Sequence, residues 1–185
     1  FTVTFLRSLA GFYKKYPSQK ELAEIACKIE IDRLNEPVGK QDQYISAFGG
    51  LSCFEIDRSG EVSIKQIPIS ADTLEDLESN LLLFFTGKQR SASAILEDQD
   101  KRSLKSESEI FENLHKTKEL GKISYQLLKD SKLKQYALLM HEHWLNKRKR
   151  SSSMSNQFLD KVYDTAIANG ALGGKLVGAG GGGFL

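Results

Sequence analysis

The first third of the chain alternates apolar and polar residues at helical spacing. The apolar positions of its opening stretch are three or four residues apart: Phe1, Phe5, Leu9 and Phe12. This spacing predicts a helix over residues 1–14. Ser18 and Glu21 form a capping box that starts a second amphipathic helix. Because a proline disfavours helical geometry in the residue before it, we expect this second helix to stop at residues 35–37.

Strand patterns follow in the middle of the chain. Residues 51–56 and 62–67 alternate apolar and polar positions and flank Arg58-Ser59-Gly60, which predicts a β-hairpin. Residues 81–85 are apolar throughout and end at a Thr-Gly pair, so we expect a third strand there.

The second half of the chain is mainly helical in pattern. We predict helices over residues 92–99, 107–128, 132–147 and 156–168. Gly170 suits the position just after the last of these helices. A short strand is expected at residues 175–177, entering a glycine-rich segment, and another at residues 184–185, leaving it. The predicted class is α+β, with helices outnumbering strands.

Size and composition indicate a globular protein of one domain or two lobes. The chain has 185 residues, of which 40% are hydrophobic and 27% charged. Lys and Arg together number 26 against 24 Asp and Glu, so the basic field of a dedicated nucleic-acid binder is missing. Cys27 and Cys53 lack metal-ligand spacing and are expected to be buried, reduced thiols. The sequence shows neither a long apolar run nor a signal-peptide pattern, which predicts no membrane association and a cytoplasmic location.

The glycine-rich segment over residues 173–183, GGKLVGAGGGG, is the strongest candidate for chemistry. Glycine leaves backbone N–H groups unshielded, and such groups suit a multiply charged phosphate. The spacing within residues 178–183 satisfies a dinucleotide-binding fingerprint, but no helix start follows it, and the P-loop pattern fails because Leu176 follows Lys175. A phosphate loop between strands and a simple hinge or tight turn both remain open.

A second candidate lies in residues 39–50, GKQDQYISAFGG, where Asp42 occupies what reads as a polar loop ahead of a strand. A carboxylate there can accept the proton of an attacking sugar hydroxyl, although an exposed turn aspartate is an equal alternative. Glu30, twelve residues earlier, adjoins the apolar face of the preceding helix and can serve as a Mg²⁺ ligand. Its alternative is an ordinary surface glutamate.

Three further features carry weaker signals. Arg90 follows a buried-looking strand and precedes a helix start, a place that suits an anion. The basic run over residues 147–150 allows a nucleic-acid interpretation, but it equally complements a helix dipole and has no interleaved aromatic residues. His141 and His143 diverge on a helix, which argues against a shared metal, and Trp144 is expected in the core.

Together these segments resemble the GHMP small-molecule kinase superfamily over nearly the whole chain. Residues 178–183 are similar to its third, C-terminal glycine motif. Four other segments resemble the branch that acts on D-glycero-D-manno-heptose 7-phosphate: residues 27–32, 39–44, 90–93 and 141–145. The resemblance implies a two-lobed GHMP-kinase-like fold, with the later part of the N-terminal lobe over residues 1–80 and the C-terminal domain over residues 81–185.

The resemblance also implies a reaction and its residues. It implies an ATP- and Mg²⁺-dependent kinase that phosphorylates the anomeric hydroxyl of a heptose 7-phosphate, with Asp42 as catalytic base and Glu30 as Mg²⁺ ligand. Substrate-binding candidates are Lys40, Gln43, Tyr44, Arg90 and Ser91. The phosphate loop would consist of Gly178, Ala179, Gly180, Gly181, Gly182 and Gly183.

One departure from the superfamily pattern limits these expectations. The serine-rich second glycine loop that cradles ATP phosphates, and an earlier substrate-binding motif, do not occur in the sequence. Phe1-Thr2-Val3 is similar to the stretch just after that loop, so the resemblance implies a fragment that is inactive alone. The alternatives are a GHMP kinase for galactose, fucose or mevalonate-type acceptors, and a non-catalytic sugar-binding protein on the same fold.

Overall fold

The computed structural model describes residues 1–87, 108–151 and 154–185. The chain divides into two compact units, residues 1–67 and residues 68–185. The predicted α+β class is confirmed, because helices accompany one small antiparallel sheet in the described residues. The functional division that we expect after residue 80 stays a prediction.

The first unit contains three α-helices, one π-helix and a hairpin: α1 Thr2–Phe12, α2 Gln19–Cys27, the π-helix Lys28–Arg33, α3 Gln41–Phe48, β1 Ser52–Ile56 and β2 Val62–Gln66. The capping box is confirmed, since the Glu21 N–H donates to Ser18 Oγ (3.2 Å) and the Ser18 N–H donates to Glu21 Oε2 (2.7 Å). The helical run ends at Arg33, and Asn35 takes a φ of 52°, so the expected stop is confirmed.

The hairpin is confirmed as well. Its strands pair antiparallel, with Ser52 opposite Gln66 and Ile56 opposite Val62. Asp57 stabilises the turn because its carboxylate accepts hydrogen bonds from the N–H groups of Ser59 (2.8 Å) and Glu61 (3.0 Å). The hairpin closes a core of buried residues: Val3, Leu22, Ala23, Ala26, Cys27, Tyr44, Ala47 and Val62.

The expectation of a polar loop around Asp42 is wrong. Residues 41–48 form helix α3, and Asp42 lies in its first turn. The reason is that Tyr44 and Ala47 are three positions apart and face the core, where their side chains are 2% and 3% exposed. A carboxylate in the first turn also stabilises the helix through its dipole.

The second unit contains four described helices: α4 Ala71–Ser79, α5 Ser108–Lys129, α6 Leu133–Arg148 and α7 Gln157–Ala168. The last three confirm the helices predicted over residues 107–168, and Asn156 caps α7 by accepting from the Leu159 N–H (3.1 Å). Gly170 takes a φ of 100°, as expected after a helix. The helix predicted over residues 92–99 lies outside the described residues.

The strands predicted in the second unit are wrong. Within the part of the chain that the structure describes, residues 81–85 and 184–185 form a single bridge between Phe85 and Phe184. Residues 175–177 form no strand, although the Val177 N–H donates a hydrogen bond to the Phe184 oxygen (2.8 Å). The apolar run over residues 81–85 is largely exposed, so without a longer ladder its hydrophobicity does not make it a strand.

None of the described helices is long and apolar enough to cross a membrane.

Candidate functional site

Glu30 lies in the π-helix that continues α2. Its side chain is half-buried, and its Oε2 accepts a hydrogen bond from the Gln43 side-chain amide. Gln43 is 4% exposed and follows Asp42 directly in the chain. The contact therefore joins the π-helix to the first turn of α3, which carries the candidate base. π-Helical turns of this kind are frequent at functional sites.

Asp42 presents an exposed carboxylate at the second position of α3. Its backbone oxygen accepts from Ser46 Oγ (2.7 Å), while its side chain makes no hydrogen bond or ion pair with the described residues. An exposed carboxylate at this position can accept a proton from a bound hydroxyl.

Lys40 and Tyr44 line a cavity of about 390 Å³ in the first unit. Lys40 Nζ donates to the Gly60 carbonyl oxygen across this cavity. Tyr44 is 2% exposed, its ring stacks with Phe48 and meets Phe54 edge-on, and burial raises the pKa of its phenol. Both side chains thus have evident structural contacts, and their role in substrate binding stays a prediction.

Magnesium would find oxygen donors at Glu30. The Oε1 atom of Gln43 is buried without a hydrogen-bond partner in the described residues, next to the amide that binds Glu30. The described residues hold no cluster of three or more His, Cys, Asp or Glu side chains. This donor set fits Mg²⁺, which binds one or two protein oxygens and completes its shell with phosphate and water.

Arg90 and Ser91, the two remaining substrate-binding candidates, lie outside the described residues.

The glycine loop, defined as residues 178–183, lies in the second unit with four of its glycines at positive φ. The values are 74° at Gly178, 114° at Gly180, 74° at Gly181 and 94° at Gly183. At Gly180 a Cβ atom would also lie 2.6 Å from Met154 Sδ. All four positions therefore favour glycine for their backbone conformation, and Gly180 favours it for space as well.

Most of the loop's N–H groups are available to a ligand. Gly181 donates to the Met154 carbonyl oxygen (3.0 Å). Among the described residues, the other N–H groups of the loop donate no hydrogen bond; they belong to Gly178, Ala179, Gly180, Gly182 and Gly183. Successive unpaired N–H groups in a turn can form the type of concavity that binds anions.

Both ends of the glycine loop are fixed by side chains that sequence reasoning missed. Lys147 Nζ donates to the carbonyl oxygens of Leu176 (3.0 Å) and Gly178 (2.6 Å). At the other end, Thr86 donates to the Gly183 oxygen from both its N–H and its hydroxyl, each at 2.8 Å. These contacts hold the two ends of the loop without using the N–H groups of residues 178–180, 182 and 183.

The basic run over residues 147–150 separates into internal and exposed residues. Lys147 is 8% exposed, and Arg150 donates to Asn113 Oδ1 (2.9 Å) and Thr117 Oγ1 (2.5 Å). Lys149 is exposed. Arg148 forms an ion pair with Asp160 (2.9 Å), so three of the four cations of this run bind polar groups of the protein within the described residues.

Positive charge accumulates beside the glycine loop. Burial lowers the pKa of Lys147 to about 8, and the charges of Lys175 and Arg150 act in the same direction. Burial also lowers the pKa of Lys175. Since no ion pair joins Lys147 or Lys175 to a described carboxylate, this region offers favourable electrostatics to an anion.

Protonation of His143 should make the stability of the folded protein depend on pH. Burial, followed by the charges of Lys175, Arg150 and Lys147, lowers its pKa from 6.5 to about 4. The unfolded chain therefore binds a proton before the folded chain does, and stability falls as the pH drops from 6.5 to 4. After allowing for partial solvent screening, we expect a loss of roughly 1–2 kcal/mol in the free energy of unfolding.

Urea unfolding at several pH values between 7 and 4 checks this prediction. His143→Gln should flatten the pH dependence, whereas His115→Gln, which changes an exposed histidine of α5, should leave it intact. The same acid-induced loss in the His143 variant would contradict the assignment.

Comparison with known proteins gives consistent matches. Residues 110–185 match the protein family described as GHMP kinases C terminal. Over 183 residues the chain is 33% identical to D-glycero-alpha-D-manno-heptose 7-phosphate kinase of Campylobacter jejuni subsp. jejuni serotype O:2, covering 99% of this chain and 53% of that protein.

Two solved structures share the fold. A D-glycero-D-manno-heptose 1-phosphate kinase from Bacteroides thetaiotaomicron has a TM-score of 0.72 and 25% identity, over 98% of this chain and 48% of that one. Mevalonate kinase of L. major, in complex with R-mevalonate, has a TM-score of 0.74 over 99% of this chain and 53% of that one. Its sequence identity is 19%, so this match shows similarity of fold alone. The chain thus spans about half the length of each of these proteins.

Proposed function

We propose that the chain belongs to the GHMP kinases, whose C-terminal family matches its residues 110–185, and that the complete protein is an ATP- and Mg²⁺-dependent sugar-phosphate kinase. Its proposed acceptor is the anomeric hydroxyl of D-glycero-D-manno-heptose 7-phosphate. The observation that carries this choice is the similarity to a heptose 7-phosphate kinase along nearly the whole chain.

In the proposed reaction Asp42 acts on the acceptor. Its exposed carboxylate receives the proton of the anomeric hydroxyl as that oxygen attacks the γ-phosphorus of ATP and ADP leaves. The absence of a competing hydrogen bond to this carboxylate in the described residues supports the role, since a base must be free to take up a proton. Arg90, Ser91, Lys40, Gln43 and Tyr44 remain candidates for holding the sugar phosphate.

The glycine loop acts on the phosphoryl group. Its unpaired N–H groups can donate to oxygens of the moving group, and because their geometry is fixed in advance they need no reorganisation during transfer. Glu30 would hold Mg²⁺, which would neutralise phosphate charge when bound. The serine-rich ATP loop of the superfamily is not in the sequence, so we expect no turnover from the 185-residue chain by itself.

ADP release by the complete protein containing this chain tests the proposal. The acceptor panel contains heptose 7-phosphate, heptose 1-phosphate, galactose, fucose and mevalonate, with Mg-ATP alone as the background. The heptose 1-phosphate is included because one structural relative carries that name. We expect turnover above background only with heptose 7-phosphate.

The other outcomes are equally informative. Turnover with another acceptor would support the proposed kinase activity but contradict the proposed acceptor. Binding of a heptose phosphate without turnover by the complete protein would contradict the kinase and favour a sugar-binding protein on this fold.

A further inference from the structure

Lys147 is a buried cation whose contacts lie at the entrance of the glycine loop. It occupies the last turn of α6, is 8% exposed, and donates to the carbonyl oxygens of Leu176 and Gly178. These two oxygens flank Val177. Burying a lysine costs free energy unless its ammonium group is paired or hydrogen-bonded. The burial of Lys147 therefore points to a specific role for these two contacts.

The two contacts determine which way the loop's peptide units face. The described peptide bonds are all trans, and in a trans peptide unit the carbonyl oxygen and the following N–H point in opposite directions. Because the Leu176 oxygen points to Lys147, the Val177 N–H points away from it, where it donates to the Phe184 oxygen (2.8 Å). The same relation makes the Ala179 N–H point away from Lys147, and this group has no partner in the described residues.

We propose that Lys147 is a positioning residue of the glycine loop: its ammonium group fixes the carbonyls of Leu176 and Gly178 and thereby presents the unpaired Ala179 N–H to a phosphate group. The proposal rests on the phosphate-binding role of the loop under the proposed function. Lys147 itself does not touch the phosphate. It acts through the backbone and through the positive potential that it adds behind the loop.

Lys147 is surrounded by groups that favour its neutral form. Burial, followed by the charges of Lys175 just before the loop and Arg150 just after α6, lowers its pKa to about 8. His143 lies one helical turn earlier on α6. Loss of the proton removes the charge and weakens both hydrogen bonds to the carbonyls. Phosphate binding by the loop should therefore weaken as the pH rises through about 8, where inorganic phosphate is mainly the dianion.

The test compares three variants of the complete protein. Lys147→Met keeps the approximate length of the side chain and removes its charge, whereas Lys147→Arg keeps a positive charge and hydrogen-bond donors. Lys149→Met is a matched control at an exposed position of the same basic run. The first readout is amide hydrogen exchange at Val177 and Gly181, whose N–H groups are hydrogen-bonded in the native structure. We expect faster exchange in Lys147→Met, a smaller change in Lys147→Arg and none in Lys149→Met.

The second readout is the amide shift of Ala179 during titration with inorganic phosphate. Lys147→Met should weaken phosphate binding roughly 10- to 100-fold, the effect of losing charge-assisted hydrogen bonds. Lys147→Arg should restore part of the affinity and remove its decline above pH 8. In a turnover assay the effect should fall on kcat as well as on the KM for ATP, because the fixed loop also serves the transition state.

The outcomes separate this proposal from the proposed function. Unchanged exchange in Lys147→Met, or faster exchange with unchanged phosphate binding, would overturn it. If the wild-type protein phosphorylates no acceptor, the kinase proposal fails, yet exchange and phosphate titration still decide the role of Lys147. If Lys147→Met does not fold, the pH dependence of phosphate binding by the wild-type protein decides, and constant affinity between pH 7.5 and 9.5 would overturn the proposal.

Discussion

Replacing Asp42 by Asn in the complete protein should lower kcat by roughly 10²- to 10⁴-fold while nucleotide affinity stays nearly unchanged. The amide has the shape of the carboxylate but cannot take up the proton of the attacking hydroxyl. Because the Asp42 side chain makes no hydrogen bond or ion pair with described residues, the substitution breaks no described side-chain contact. Steady-state kinetics with heptose 7-phosphate and a nucleotide-binding titration measure the two quantities separately.

Asp72→Asn is the matched control for this substitution. Asp72 and Asp42 each occupy the second position of a helix, and both side chains are exposed. Each variant therefore loses the same favourable interaction with a helix dipole, about 0.3–1 kcal/mol of stability. Only Asp42→Asn should lose turnover. Full activity in Asp42→Asn would remove this residue from the mechanism, and equal losses in both variants would attribute the effect to helix stability.

Gly173→Ala should destabilise the second unit by roughly 3 kcal/mol or more. A Cβ at this position would lie 2.0 Å from the Ala137 carbonyl oxygen and 2.8 Å from the His141 nitrogen. Both atoms belong to the backbone of α6, which cannot move aside as a flexible side chain can. The methyl group would therefore push the segment leading into the glycine loop away from its supporting helix.

The neighbouring glycine provides the control. A Cβ at Gly174 would meet nothing closer than Tyr163 Cε2, at 3.8 Å, which is an ordinary contact. We expect Gly174→Ala to change the free energy of unfolding by less than about 1 kcal/mol, and denaturant unfolding of both variants measures the difference. Equal stability of the two variants would contradict the close packing of Gly173 on α6.

Local signals in the sequence were sufficient for the elements whose stability is local. The capping box at Ser18 and Glu21, the hairpin and the three long helices depend on contacts between residues close in the chain. Helix α3 could have been found by the same means, since Tyr44, Ala47 and Phe48 have helical spacing. The polar residues around Asp42 concealed that pattern.

The role of Lys147 could not be predicted from its neighbours along the chain. Its partners Leu176 and Gly178 lie 29 and 31 residues away, so the contact exists only after α6 and the glycine segment pack together. One signal was present: Lys147 follows Trp144 by three positions, and Trp144 is fully buried. A lysine on the buried face of a helix differs from the exposed Lys149 although both belong to one basic run.

The strand predicted over residues 81–85 failed for a similar reason. Hydrophobicity along the chain does not specify a partner, and a strand is stable only when it has a ladder of hydrogen bonds. Here residues 183–185 supply the pairing, which amounts to one bridge and three backbone hydrogen bonds within the described residues.

Identification of the reaction product by phosphorus NMR tests the central claim most directly. The complete protein is incubated with Mg-ATP and D-glycero-D-manno-heptose 7-phosphate, and the new phosphorus signal is examined for coupling to the anomeric proton. The account predicts a second phosphate on the anomeric oxygen, formed in equal amount with ADP. A phosphate on any other oxygen, or ADP accompanied only by inorganic phosphate, would contradict it.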